Sequence, residues 1–482
     1  MNIQELTNQI NTEENLSKLV ESLKNGRLTS QPQPKTSSNI AELFPDKHKI
    51  NDPFFRPDKD VVRDVPDGKG GTKTETKKEK VTRISLALQK LIVKRAVAFV
   101  FGNEPLLNTS DEYTDVLSVL QKVFSDCKIK AINRKTAREL MSYQEVAEHW
   151  YIDPGSEQSN RYGFQSKNRI RCTYFSPSSG DTLYPYFDEY NNLIAFSREY
   201  SITQSDKTSK TFFETWTAEW HYKWERTTGN FQPSENYPQR NVIGKIPIIY
   251  AYQSQTEWAD VQNLIERLEK LLSNFGDTND YHGSPMLFTK GRITGFATKG
   301  ESGRILQGTP DSSIEYISWA QAPEATKTEV EMLLRMIYTI TQTPDISFDS
   351  VKGIGSISGT ALRLLFADAH LKVQEKSEVF DEFLQRRNNV ILAYLSTLNV
   401  ADNTFTNLCK NAIVTAEIQP YLIEDDTTKI SQLMTATGNK AIMSRKTAVK
   451  TLGWVSDTDT ELEDIEADEA GANMADLMTP TE

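Results

Sequence analysis

The chain has little cysteine: three residues in 482. Cys127, Cys172 and Cys409 are far apart and odd in number, which excludes a disulfide framework and a zinc knuckle. Such sparing use fits a reducing cytoplasm. Long apolar runs are missing too. The best, residues 96–101, follows Lys94 and Arg95 and falls far short of the ~18–20 residues of a membrane helix. No membrane partner is expected. The start, Met1-Asn2-Ile3-Gln4-Glu5, has neither the basic opening nor the apolar stretch of a signal peptide.

Catalytic and cofactor signatures are equally scarce. The five histidines (His48, His149, His221, His282, His370) show no His-Glu-x-x-His spacing, and His221 sits in an aromatic strand, where a structural role is expected. No Gly-Lys-Ser or Gly-Lys-Thr supplies a phosphate-loop lysine. Gly353-Ile-Gly355-Ser-Ile-Ser-Gly359 has Ser358 where the dinucleotide fingerprint needs its third glycine, and no βαβ unit surrounds it. Asp457-Thr-Asp459-Thr-Glu461 begins like a calcium loop, but Leu462 occupies the obligatory glycine position. No nucleophile elbow or acid pair appears. The sequence therefore assigns no catalytic residue, metal ligand or cofactor, and an enzyme is not expected.

Bases are absent from the C-terminus. Between Ser456 and Glu482 there are ten acids (Asp457, Asp459, Glu461, Glu463, Asp464, Glu466, Asp468, Glu469, Asp476 and Glu482) and no Lys or Arg. Of 66 acids in all, 56 remain to face 55 bases, so the net charge of −11 belongs almost wholly to this tail. A tail of one sign reads as solvated and mobile. The opposite excess runs through Lys69, Lys73, Lys77, Lys78, Lys80, Arg83, Lys90, Lys94 and Arg95. It fits a solvated face, and it also permits contact with nucleic acid. A near-neutral body excludes a dedicated DNA reader, which would be basic overall.

Along the chain, residues 1–80 read as a flexible arm with one short helical pattern around Ile10 to Leu23, because Pro, Ser, Lys and Gly dominate the rest. Helical periodicity is expected from Val81 to Val123, with Leu86, Leu88, Leu91, Ile92 and Val97 inward, and again from Arg134 to Trp150. The runs beginning at Arg169, Leu193, Thr211 and Glu219 alternate or cluster aromatics between turn residues and predict four or more antiparallel strands. Together these make an α+β domain. Ser254-Gln-Thr-Glu257 fits a capping box. The stripe Trp258, Val261, Leu264, Ile265, Leu268, Leu271, Leu272, Phe275 then predicts a helix. A Gly-rich β-like stretch follows, before Pro323 opens a second helix that Thr343-Pro344 stops.

The longest pattern runs from about Ser358 to Leu398. Leu362, Leu365, Phe366, Ala369, Val373, Phe380, Phe383, Leu384, Ile391 and Leu395 keep helical spacing over about 60 Å at 1.5 Å per residue. Residues 412–418 read as a strand. Thr427 to Met434 and Ser444 to Leu452 read as short helices ahead of the acidic tail.

This order of parts, over roughly residues 81–470, resembles the portal proteins of long-tailed bacteriophages. Gly244-Lys-Ile-Pro-Ile-Ile-Tyr is similar to the family's strand before the stem, and Met286-Leu-Phe-Thr-Lys-Gly to the start of its clip. Thr343-Pro-Asp-Ile-Ser resembles the end of the second stem helix. The most specific element, Gly355-Ser-Ile-Ser-Gly-Thr-Ala-Leu-Arg-Leu-Leu, resembles the tunnel loop and the start of the tunnel helix. Met443-Ser-Arg-Lys-Thr-Ala-Val-Lys-Thr-Leu-Gly and the following acids are similar to the closing segment. The N-terminal arm matches no family pattern.

The resemblance implies an α+β portal fold in eight parts: an arm (1–80), a wing of helices and antiparallel strands (81–252), a first stem helix (253–283) and a clip (284–318). A second stem helix (319–344), a tunnel loop (345–358), a long helix with the wing's return strand (359–425) and a helical crown with the acidic tail (426–482) complete it. It implies a ring, a dodecamer, at one virion capsid vertex, assembled in the host cytoplasm. Its partners would be double-stranded DNA, terminase, the major capsid or scaffold protein and the head–tail connector. Ser350, Val351, Lys352, Gly353, Ile354, Gly355 and Ser356 would line the DNA channel. Ser358, Gly359, Ala361 and Leu362 would begin the tunnel helix, and Lys290, Gly291, Arg292 and Arg304 would form the docking face of the clip. Another virion head protein, or an enzyme with a scattered active site, stands as the alternative.

Overall fold

The computed structural model describes residues 3–25, 58–66, 71–203, 205, 207–282, 286–290, 293–295, 307–308, 313–317, 322–344, 366–399, 402–421, 426–438, 441–455 and 458–478. It divides into two compact units. One comprises residues 1–345 and 368–421, the other 346–367 and 422–482.

In the first unit, α1 (Ile3–Thr12) and α2 (Leu16–Asn25) precede a two-stranded ribbon, β1 (Lys59–Pro66) with β2 (Thr72–Glu79). Then come α3 (Leu88–Phe101), β3 (Leu106–Asn108), α4 (Thr114–Cys127) and α5 (Ile129–Tyr143). The strands β4 (Glu145–Ser159) and β5 (Ser166–Phe175) form one sheet with β12 (Ile248–Tyr252), in the order β12-β4-β5. A six-stranded antiparallel sheet holds β6 (Thr182–Phe187), β7 (Leu193–Thr203), β8 (Ser209–Trp216), β9 (Trp220–Arg226) and β10 (Gln232–Pro233), with β11 (Gln239–Arg240) also on β9. Two long helices, α6 (Gln262–His282) and α7 (Ala322–Ile340), bracket β13 (Met286–Lys290), β14 (Ile293–Gly295), β15 (Gln307–Gly308) and β16 (Ser313–Ile317). Within that insertion β13 pairs β16 and β14 pairs β15, both antiparallel. The helix α8 (Ala367–Leu398), α9 (Asn403–Asn411) and β17 (Thr415–Glu417), which pairs β3, close the unit.

The core explains the placement. In α3 Leu88, Ile92, Val93, Ala96, Val97, Val100 and Phe101 are all buried, while Lys90, Lys94 and Ala98, four apart, form one exposed stripe. So wide an apolar face sets the helix into the core. Of residues 96–101 all but Ala98 are buried there. Gly102 ends this helix against Tyr421, where a Cβ would come within 2.8 Å of the tyrosine's own Cβ. The 32 residues of α8 span about 48 Å at 1.5 Å per residue. Its Phe380 meets Phe101 of α3 edge-on at 4.9 Å between ring centroids.

The six-stranded sheet is covered on both faces. Phe213 and Trp216, three residues apart on β8, point to opposite sides. Trp216 packs with Phe196, Leu183, Phe175, Ala147 and Ile248, which joins the two sheets. Phe213 packs with Tyr186, Ile194, Tyr222, Trp224 and Phe231 beneath Leu6, Ile10, Leu19, Val20 and Leu23 of α1 and α2.

Four sequence expectations change. Residues 3–25, read as part of a flexible arm with one short helical pattern around Ile10 to Leu23, hold two helices whose apolar positions bury against that aromatic face. The stretch 81–87 is not helical, since α3 begins at Leu88; residues 84 and 86 instead donate backbone N–H bonds to Ser273 and Glu269. The second helix runs from Ile129 to Tyr143, and residues 145–150 are β4, drawn into strand by pairing with β5 and β12. Ser254 to Glu257 is no capping box: a 3-10 turn (Ala259–Val261) leads into α6, and the Glu257 carboxylate goes to Lys372 and Lys376.

In the second unit, α10 (Asp426–Thr437), α11 (Arg445–Leu452) and α12 (Thr458–Met478) are described. The Ser444 hydroxyl caps α11 by accepting from the Thr447 amide at 3.1 Å. The acidic tail is a helix, not a coil. Its acids meet the bases of α11 through Arg445 with Glu469 and through Lys446 with Asp459.

Candidate functional site: the anchored ends of the 345–365 segment

The tunnel residues read from the sequence (Ser350, Val351, Lys352, Gly353, Ile354, Gly355, Ser356, Ser358, Gly359, Ala361 and Leu362) lie outside the described residues, as do Gly291, Arg292 and Arg304 of the docking face. Lys290 is described: it ends β13, exposed, opposite Ser313. The structure does show how the chain is held on either side of the 345–365 segment.

Its leading end leaves α7 at Thr341 to Pro344. The Lys372 ammonium donates to the Thr341 carbonyl at 2.9 Å, and Arg95 donates to the Pro344 carbonyl at 2.6 Å. A helix end leaves carbonyls without intrahelical partners and favours cations there. The Thr341 hydroxyl turns back to the Ile337 carbonyl at 2.7 Å and bonds Thr343 at 3.0 Å. The trailing end is α8, whose first turns carry Lys372 and Lys376. Both ammonium groups reach one carboxylate, Glu257, at 2.8 and 2.6 Å. The Glu257 side chain is 3% exposed, so the charges meet away from water. Burial pushes the Glu257 carboxyl up, but the two lysines outweigh it and hold the group below its usual range. One carboxylate ahead of α6 thus ties the start of α8 to the end of α7.

Three turns further along α8, Arg387 enters the core. It donates from Nε and from one terminal nitrogen to Glu148 on β4 at 2.9 and 2.6 Å, and from the other to Asn133 on α5 at 2.7 Å. Tyr394 donates to the Trp150 carbonyl at 2.8 Å. These bonds lock the long helix to the sheet β12-β4-β5. Sequence reading missed Glu257, Lys372, Glu148 and Arg387. The signal for Arg387 was present: it falls on the 3–4 spaced stripe Phe380, Leu384, Ile391, Leu395, where a charge must bring its own partner.

The basic run divides. Lys73, Lys77, Lys78 and Lys80 are exposed on and beside β2 with Glu75 and Glu79 between them, while Arg83 pairs Asp58 at 2.7 Å and Arg95 is drawn into the α7 end. The sheet holds a second charged cluster. Glu214 is buried and lies 2.9 Å from Lys223, 2.7 Å from the Tyr200 hydroxyl and 3.5 Å from His221. Burial raises its carboxyl, yet His221, Lys223 and Tyr200 outweigh that and hold it at about 2. His221 itself stacks on Trp216 at 4.5 Å, a structural setting. Burial pushes the Cys127 thiol up to about 11 and that of Cys409 to about 12, and Cys172 well up, which disfavours the nucleophilic thiolate at neutral pH. Among the described residues no group of three or more His, Cys, Asp or Glu could hold a metal ion. No described helix is long and apolar enough to cross a membrane.

A family model for phage portal proteins, SPP1 Gp6-like, matches residues 47–474. The chain belongs to this portal family. Its place is therefore the capsid vertex of a phage virion. No curated protein sequence matches. Two solved structures are similar to this portal chain. The neck of an empty GTA particle with C6 symmetry is 8% identical, with a TM-score of 0.43, and 76% of this chain and 88% of that chain are covered. The neck of a native GTA particle with C12 symmetry is 10% identical, with a TM-score of 0.39 and the same coverage.

Proposed function

We propose that the chain is one subunit of a dodecameric ring through which double-stranded DNA enters and leaves the capsid, with terminase and later the head–tail connector docking at its clip. The observation that carries this reading is the family match across 47–474, joined to an architecture in which α6 and α7 bracket a small β insertion. In this reading 81–252 is the wing, 253–283 and 319–344 the stem, 284–318 the clip, 345–358 the tunnel loop, 359–425 the long helix with its return strand and 426–482 the crown. A closed ring of one chain needs a head-to-tail interface whose rotation closes. A near-neutral body suits a conduit, because cargo that must slide cannot be gripped.

Negative-stain microscopy of the purified chain tests the ring: particles with a central channel support it, and a compact monomer overturns it. Lys352→Glu tests the channel wall. A ring of lysines touches phosphates without reading bases. The variant is expected to give normal procapsids with impaired packaging or retention of DNA, and full packaging would remove Lys352 from the path. Deleting residues 291–308 is expected to abolish terminase capture while the wing still folds.

A further inference from the structure

We infer that α10, α11 and α12 lack a core of their own and complete one between adjacent copies, with α11 of one subunit against α12 of the next. This rests on the ring reading, because the cover comes from a second copy.

Missing burial carries the inference. From residue 426 to 478 no described residue is buried, although α11 contacts both α10 and α12. The apolar residues that could make a centre (Ile430, Leu433, Val449, Leu452, Leu462 and Ile465) are only half-buried. Met434, Ile442 and Trp454 are 69%, 89% and 62% exposed. Helices of 12 and 8 residues, the lengths of α10 and α11, are marginal without packing. The longer α12 carries seven carboxylates from Asp459 to Glu469, which repel one another. So small a set of helices is held by disulfides, a metal or another copy. These helices contain no cysteine, and among the described residues no group of acids and histidines could hold a metal ion.

Charge complementarity points to a copy of the same chain. α11 carries Arg445, Lys446 and Lys450 and no acid, while α12 carries no base. Within the chain Arg445 pairs Glu469 and Lys446 pairs Asp459, every partner more than half exposed. Lys450, one turn beyond Lys446, is exposed and has no ion pair among the described residues. Nor have Glu461, Glu463, Asp464, Glu466 and Asp468. So α11 ends in an unpaired cation, with the exposed Trp454 two residues past the helix, and α12 offers a row of unanswered carboxylates. A head-to-tail contact joins two different faces of one chain, and these two are opposite in sign. Tryptophan is among the commonest anchors of such contacts.

The test uses the full chain, assembled from a mixture of unlabelled and heavy-nitrogen subunits, with native mass spectrometry to read the ring. Hydrogen exchange compares rings with subunits held apart by dilution. Exchange across α10, α11 and α12 is expected to slow by about tenfold or more in the ring. A carbodiimide, which joins an ammonium to a carboxylate directly, is expected to link Lys450 to carboxylates of α12 in pairs with one light and one heavy half. Pairs of a single isotope alone, or no link at Lys450, overturn the contact between copies. Equal protection in rings and in separated subunits overturns the shared core: fast exchange in both assigns the cover to a different protein, and slow exchange in both means that the three helices suffice. A monomeric mass at every concentration overturns the ring reading, and this inference with it.

Discussion

Arg387 and Glu148 meet in a two-pronged ion pair with side chains 2% and 0% exposed. Each guanidinium–carboxylate bond is charge-assisted, and Asn133 takes the remaining terminal nitrogen at 2.7 Å. In such a place the attraction within the pair matters less than the cost of removing one half of it. Arg387→Met leaves a buried carboxylate with its strongest donor gone and is expected to cost about 3–5 kcal/mol. The double variant Arg387→Met, Glu148→Leu should recover most of that loss. Urea titration of the parent and both variants measures it. A single variant as stable as the parent would show that the pair does not hold α8 to β4.

That pair also marks where sequence reading stops. Strands β5, β7, β8 and β9 were legible because aromatic alternation and turn residues are local signals. So were α6 and α7, whose stripes repeat at three and four. Residues 145–150 were not, because what makes them a strand is pairing on both edges, with β5 and with β12, the latter about a hundred residues away. The docking of α1 and α2 was hidden likewise: composition reports that 1–80 is polar on average, not that five apolar residues share one face. Glu257 looked like a cap because hydroxyl and carboxylate had the right spacing, but two lysines on α8 outcompete the local amides. The channel and clip residues rested on resemblance alone.

Acid should weaken the fold in two stages. His149 packs against both Phe175 and Trp216, with ring centroids 5.6 and 5.1 Å away. Burial, and then the nearby His221, push it down to about 3. Below its unfolded value of 6.5 the open chain takes a proton that the folded chain refuses, so stability falls as pH drops from 6.5 towards 3. At pH 5 this amounts to about 2 kcal/mol. Glu214 and Glu257, both held low in the fold, contribute stability that is present above about 4.5 and lost below it. Denaturation midpoints at pH 7, 5 and 4 check the order of the two stages, and His149→Gln should flatten the first while leaving the second.

Glu257→Gln should loosen the ends of the 345–365 segment before it loosens the molecule. It removes the anion between two lysines whose side chains are 8% and 12% exposed, and leaves two like charges close together. Lys372 then loses the partner that aims it at the Thr341 carbonyl. Hydrogen exchange at residues 341–343 is expected to rise at least tenfold, with little change in β7 and β8. Uniform exchange across both regions would mean that Glu257 serves general stability and not this junction.

The tail makes the opposite prediction, a gain of structure in acid. In α12 Asp459 and Glu463, and Asp464 and Asp468, stand four apart, so each pair repels along one face. Arg445 and Lys446 of α11 answer two of these acids through exposed ion pairs, with Glu469 and Asp459. A peptide of residues 456–482 lacks those bases entirely. At neutral pH it should be largely unfolded, and its helicity should rise as pH falls through the carboxylate range and the repulsion disappears. Adding salt at neutral pH should act in the same direction, more weakly, by screening. Circular dichroism reads both. In the full chain, truncation after Leu452 should leave the melting of the first unit unchanged, because no described residue beyond Leu452 is buried. A peptide equally helical at pH 7 and pH 3 would mean that something other than charge sets this helix.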